Sequence, residues 1–280
     1  MWRIWCGATR LPAIGFFQTN LKLMHTRIRP SVLLATVCLS VGLQAQDKPQ
    51  DKSLTPHSFE HRITVRADYL LFLPKGYEAN SDQRWPLILF LHGAGERGTN
   101  VWQVDIHGPA KYIAEHPEFP FILVSPQCPA GEAWSNEVLL ELLNEVSASH
   151  KVDSQRVYLT GLSMGGFGTW DLAVMHPERF AAVAPICGGG EVLHVLLAKL
   201  GYATPERKEA LKSLPVWAFH GAKDNIVPPT ESERMVHALK DLGAGEVKLT
   251  IYPEATHNSW AQTYSNPEFY QWLLEHKRER

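Results

Sequence analysis

The chain has 280 residues, and its 27 Lys and Arg against 29 Asp and Glu leave a formal charge of −2. Hydrophobic residues make up 45% and charged residues 20%, which excludes a disordered chain and a disulfide-framed miniprotein and allows a large core. With so little net charge there is no bulk electrostatic attraction toward nucleic acid, and a small, roughly neutral substrate fits better.

Residues 31–43 (SVLLATVCLSVGL) form an apolar run, preceded by Arg27 and Arg29 and followed by Ala45 and a polar stretch. The run is shorter than the about 20 apolar residues that span a bilayer. Residues 1–45 are therefore predicted to be a secretory leader cleaved near Ala45, with Met24 a natural true start. That predicts a secreted or periplasmic protein with no stable membrane span after cleavage. Residues 46–58 are polar and proline-bearing and read as a linker, leaving 59–280 as the folded domain.

From there, short β-branched or aromatic runs alternate with longer amphipathic stretches, the pattern of an α/β fold with a mostly parallel sheet. Eight strands are predicted, over 61–66, 69–73, 87–91, 121–125, 156–160, 181–186, 216–220 and 247–252. LILFL and FILV are continuously apolar, as expected where helices cover both faces of a sheet. The first two strands alternate more and read as an antiparallel edge. After Trp134, the residues Val138, Leu139, Leu142, Leu143 and Val146 recur at helical steps with Glu137, Glu141 and Glu145 opposite. Further helices are predicted over 164–175, 231–242 and 267–276.

The strongest local signal is G-L-S-M-G at 161–165, between the strand RVYLT and the helical stretch FGTWDLAVM. A serine on a tight strand-to-helix turn needs flanking glycines, because side chains there would clash. Ser163 would then stand at the carboxyl end of the sheet, at a helix N-terminus that favours negative charge. A hydroxyl is a weak nucleophile without a base, so an acid and then a histidine are expected downstream. Asp224 follows the strand VWAFH, and His257 follows the strand VKLTIY. Of the 13 histidines only His257 follows the last strand after that acid, with His220 the distant second. Glu254 competes with Asp224 but lies only three residues before the histidine it would have to orient. Strand LILFL runs into H-G-A-G-E-R-G at 92–98, where the N–H of Ala94, or of its neighbour Gly93, would pair with that of Met164 to hold an oxyanion. His92 and His220, which close strands, read as structural or lining residues. No His/Cys cluster has zinc spacing, so neither a metal nor a cofactor is expected.

LHGAGERG, SPQCP, GLSMGGFGTW, PICGGG, FHGAKDNIVPP and HNSW together resemble the α/β-hydrolase superfamily over about residues 60–278. Within it they are similar to secreted esterases labelled predicted peptidases, near the carboxylesterase/phospholipase and polyhydroxybutyrate-depolymerase-like groups. The resemblance implies a triad of Ser163, Asp224 and His257, an oxyanion hole at Ala94 and Met164, and a carboxylic ester, free or polymer-attached, as substrate. It makes Gly93, Gln127 and Trp134 the pocket candidates, with ordinary packing the alternative for Gln127 and Trp134. Residues 188–214 depart from the pattern by their length, and Val192, Leu193, Leu196, Leu197 and Leu200 there would form either a small lid or a packing helix. Cys128 and Cys187 both follow strands and would be either a disulfide or two buried thiols. The rival readings are a peptidase of the prolyl-oligopeptidase type and a carbohydrate-binding relic of the fold.

Overall fold

The structure is a computed structural model, and it describes residues 55–62, 64–78 and 82–279. The leader, Met24 and most of the linker lie outside the described residues. The chain forms two compact units, Met1–Thr64 and Val65–Arg280. The described residues of the first contain neither helix nor strand.

The second unit holds one sheet of seven strands: β1 Tyr69–Phe72, β2 Trp85–Leu91, β3 Ile122–Pro126, β4 Val152–Leu162, β5 Ala182–Ile186, β6 Val216–Gly221 and β7 Val247–Tyr252. Their order is β1-β3-β2-β4-β5-β6-β7, with β1 antiparallel to β3 and every other pair parallel. The eighth strand expected over 61–66 is absent among the described residues there. Among the described residues there, His61, Arg62, Thr64 and Arg66 are exposed and Val65 alone is half-buried, so pairing would bury little of them. The antiparallel edge is formed by Tyr69–Phe72 alone. In β2 the register shifts between Trp85 and Leu87, at Pro86, which has no N–H for the ladder.

The apolar strands divide their residues between two cores. Leu87, Leu89 and Leu91 point to one face, and Ile88 and Phe90 to the other, all fully buried. Burying each such side chain stabilises the fold by about 1.5–3 kcal/mol. The first core is closed by α2 Asn136–Ser149, α3 Met164–Met175, α4 Val192–Lys199, α5 Pro205–Ser213 and α6 Thr230–Leu242, and the second by α1 Pro109–Glu115, α7 Trp260–Ser265 and α8 Pro267–Glu275. Helix α2 buries the predicted Leu139, Leu142, Leu143 and Val146 and starts at Ser135, whose Oγ accepts from the Val138 N–H. Residues 188–214 fold as two short helices, α4 and α5. Val195, Ala198 and Leu211 pack into the first core, while Leu193, Leu196 and Leu200 face solvent. No helix among the described residues is long and apolar enough to cross a membrane.

Because β2, β4, β5, β6 and β7 are parallel, their carboxyl ends share one edge of the sheet. The loops that leave that edge carry the candidate chemistry.

Candidate active site

Strand β4 ends at Leu162 and α3 begins at Met164, which leaves Ser163 alone at the turn with φ 53° and ψ −116°. That backbone lies outside the ordinary regions for a non-glycine residue and costs about 1–3 kcal/mol. It is held by Ser163 N–H donating to the Ile186 carbonyl at 2.9 Å and by the Ser163 carbonyl accepting from Phe167 N–H at 3.0 Å. The glycines are required by contact. A Cβ on Gly165 would collide with the Leu91 carbonyl, and one on Gly161 with the Gly165 carbonyl.

The Ser163 hydroxyl donates to His257 Nε2 at 2.9 Å, and His257 Nδ1–H donates to Asp224 Oδ2 at 2.7 Å. The other oxygen, Oδ1, accepts from the N–H groups of Ile226 and Val227, both at 2.9 Å. Burial pushes the Asp224 carboxyl up, but the hydrogen bonds from His257, Val227 and Ile226 outweigh it and hold the group below its ordinary value. Three residues from separate strand ends are therefore brought together, as their order in the chain predicts. Glu254 instead pairs with Lys223 on the surface, so it offers His257 no carboxylate. Trp260 packs edge-on against the His257 ring at 5.4 Å.

After β2, residues Ala94–Glu96 form one 3-10 turn. The Gly93 N–H donates to Glu96 Oε2 at 2.8 Å and is engaged there. The Ala94 N–H meets no acceptor among the described residues, and Met164, as the first residue of α3, has no acceptor within its helix. These are the two amides the sequence singles out. Buried Gln127 donates through Nε2 to the carbonyls of Glu96 and Asn100, at 2.9 and 2.7 Å, so it braces this loop. Trp134 donates through Nε1 to the His92 carbonyl at 3.3 Å and packs on the His92 ring.

The two strand-closing histidines, read from the sequence as structural or lining residues, are buried and hydrogen-bonded, with partners the sequence does not specify. His92 Nδ1–H donates to the Gly93 carbonyl at 2.6 Å and its Nε2 accepts from Cys128 N–H at 2.9 Å, which ties the loop after β2 to the loop after β3. Burial holds this imidazole below its ordinary pKa, against the Gly93 carbonyl and Glu96, which favour the proton. His220 lies against Asp224. The only signal for either is a histidine that ends an apolar strand just before a glycine. Cys128 and Cys187 are free and buried, so they are two thiols and not a disulfide. Burial raises both, Cys187 to about 12, so neither is a thiolate at neutral pH. Among the described residues no group of three or more His, Cys, Asp or Glu is placed to hold a metal ion.

Around the edge, Trp102, Ile106, Phe167 and Ile226 are exposed apolar side chains. Trp260 also lines a cleft of about 480 Å³, together with His107, Lys111, Tyr112, Glu115 and Asn258.

A mostly parallel sheet with a serine, a histidine and an aspartate aligned at its carboxyl edge defines an α/β-hydrolase fold. Comparison with known proteins narrows this further: residues 130–270 match the model of the Dienelactone hydrolase family, and the chain belongs to that family. A poly(3-hydroxyalkanoate) depolymerase C of Paucimonas lemoignei is 30% identical over 132 residues, covering 42% of this chain and 30% of that one. A bifunctional acetylxylan esterase/xylanase of Neocallimastix patriciarum is 24% identical over 194 residues, covering 67% of this chain and 26% of that one. The chain thus spans under a third of the length of these two curated relatives. A crystal structure of a thermostable esterase superposes with a TM-score of 0.61 at 33% identity, covering 76% of this chain and 60% of that one.

Proposed function

We propose that the protein is a serine esterase that cleaves carboxylic esters through an acyl-enzyme. The observation that carries the reading is the unbroken hydrogen-bonded line from Ser163 through His257 to Asp224, at 2.9 and 2.7 Å. His257 Nε2 takes the hydroxyl proton as Ser163 Oγ attacks the ester carbonyl. Asp224 fixes the tautomer, since an Nδ1–H committed to a carboxylate leaves the Nε2 lone pair facing the serine. The oxygen that becomes negative is stabilised by the N–H groups of Ala94 and Met164, aided by the N-terminus of α3. His257 then hands its proton to the departing alcohol, and water repeats the cycle on the acyl-enzyme.

An ester, free or carried on a polymer, is supported by the printed activities of the relatives, a polyhydroxyalkanoate depolymerase and an acetylxylan esterase. The apolar rim of Trp102, Ile106, Phe167 and Ile226 gives such a substrate a surface to rest on. The reading includes export directed by residues 1–45, which N-terminal sequencing of the extracellular protein tests by the absence of Met1 and Met24.

Turnover of p-nitrophenyl esters by Ser163→Ala tests the proposal. The variant is expected to lose on the order of 10⁶ in kcat, because the three residues act as a unit. Turnover within tenfold of the parent enzyme refutes it.

A further inference from the structure

His220 lies at the end of β6, fully buried, and the mechanism above does not use it. Its Nε2 is 2.9 Å from the Val227 carbonyl and 3.2 Å from Asp224 Oδ2. Both are acceptors, so a lone pair on Nε2 would face two oxygens with no proton between them, and Nε2 must carry hydrogen. Its Nδ1 is 2.8 Å from Ser232 Oγ, in the first turn of α6, so with Nε2 protonated the Ser232 hydroxyl donates to Nδ1, and its oxygen lies 3.1 Å from the Gly188 carbonyl. Gly188 in turn packs against Gly166, in the first turn of the helix that starts at the nucleophile. One buried ring therefore connects the acid's loop, α6 and the floor under Ser163.

We propose that His220 is a positioning residue for the triad: its Nε2–H, donated to the Val227 carbonyl, fixes the loop whose Ile226 and Val227 amides hold Asp224 Oδ1, and with Nε2 3.2 Å from Oδ2 it keeps the carboxylate on the axis of the His257 Nδ1–H bond. The proposal rests on the triad reading above. Asp224 would then be held by His257 and the amides of Ile226 and Val227, with His220 bracing the loop that carries those amides. The ionisable groups around it are His220 from β6, His257 from the loop after β7 and, from the end of β5, the buried thiol of Cys187. Cys187 stays protonated, so His220 and His257 are the groups whose protons the carboxylate senses.

The sign of the effect follows. The positive end of the His220 N–H, with Nε2 3.2 Å from Oδ2, offsets part of the negative charge on the oxygen that faces His257, and its loss favours the protonated form of His257. His220→Leu is expected to lower kcat by about 10- to 100-fold with KM nearly unchanged, because the carboxylate drifts off axis. It should also move the acid limb of the kcat/KM profile to higher pH. His220→Gln, whose amide N–H can reach the same place, should restore most of kcat and return the limb. A folded His220→Leu within twofold of the parent in kcat with an unmoved limb overturns the proposal, as does a His220→Gln variant no better than Leu.

The second measurement needs no active variant. In the protein labelled with ¹⁵N-histidine, the imidazole resonances that disappear in His220→Gln belong to His220, and Nε2 should be the protonated nitrogen. An unprotonated Nε2 overturns the proposal even if the leucine variant does not fold. This reading is independent of turnover, so it separates a failure of the His220 assignment from a failure of the esterase assignment, which Ser163→Ala reports.

Discussion

His92 and His220 each close a parallel strand, each precede a glycine and are each buried, yet their rings are wired in opposite senses. Around His92 an N–H, that of Cys128, points into Nε2, so the proton sits on Nδ1 and meets the Gly93 carbonyl. Around His220 two oxygens surround Nε2, so the proton sits there and meets the Val227 carbonyl, with Asp224 Oδ2 at 3.2 Å. The ring is the same, and the neighbouring polar atoms decide what it does. On the proposed mechanism, one histidine would serve the half of the site that receives the oxyanion, where backbone amides act. The other would serve the half that moves a proton, where a carboxylate acts.

If the proton-transfer half depends on charge and the oxyanion half on shape, substitutions in the two should differ in size. Asp224→Asn should have the larger effect, about 10⁴ in kcat, because an amide that donates to Nδ1 forces the wrong tautomer on His257. A loss under tenfold in a folded Asp224→Asn protein would remove the charge argument. Glu96→Ala frees the Gly93 N–H and slackens the turn that presents Ala94. It should cost about 10-fold to 100-fold in kcat while the pH profile stays in place, since no titrating member of the triad is touched. A shift of the acid limb in this variant would blur the distinction between the halves.

The smallest effect lies away from both. Glu246 accepts from Lys248, Trp272 Nε1 and His276, which fastens α8 to the start of β7. Burial raises its carboxyl, but those three donors outweigh it and hold the group at about 2. A depressed carboxyl stabilises the fold above its unfolded pKa, and that contribution fades as pH falls from about 4.5 toward about 2. The half-exposed setting keeps it modest. Glu246→Gln should therefore cost about 1 kcal/mol near neutrality, with kcat unchanged, and should flatten the fall in stability over that acid window. Chemical denaturation at pH 7 and pH 3 measures it, and an equal loss at both would contradict the linkage.

The meeting of Ser163, His257 and Asp224 was legible because each follows an apolar strand, and parallel strands put their carboxyl ends at one edge. Glycines at 161 and 165 mark the turn for the same reason they are needed there, a close backbone approach. The strand expected over 61–66 is absent among the described residues because alternation does not suffice where His61, Arg62, Thr64 and Arg66 all lie in solvent. Helices α1 and α7, of seven and six residues, are too short to show a periodic face. For Gln127 the sequence leaves pocket lining and ordinary packing open, because its partners are carbonyls 31 and 27 positions away along the chain. The two tautomers were out of reach for the same reason: they depend on which distant atoms face each nitrogen.

The central claim is that Ser163 is an activated nucleophile at the end of the line through His257 to Asp224. Labelling with a fluorophosphonate, followed by peptide mass spectrometry, tests it most directly. One adduct per chain on the peptide carrying Ser163, slowed in His257→Gln, is the predicted result. An unlabelled protein, or an adduct on another serine, would contradict it.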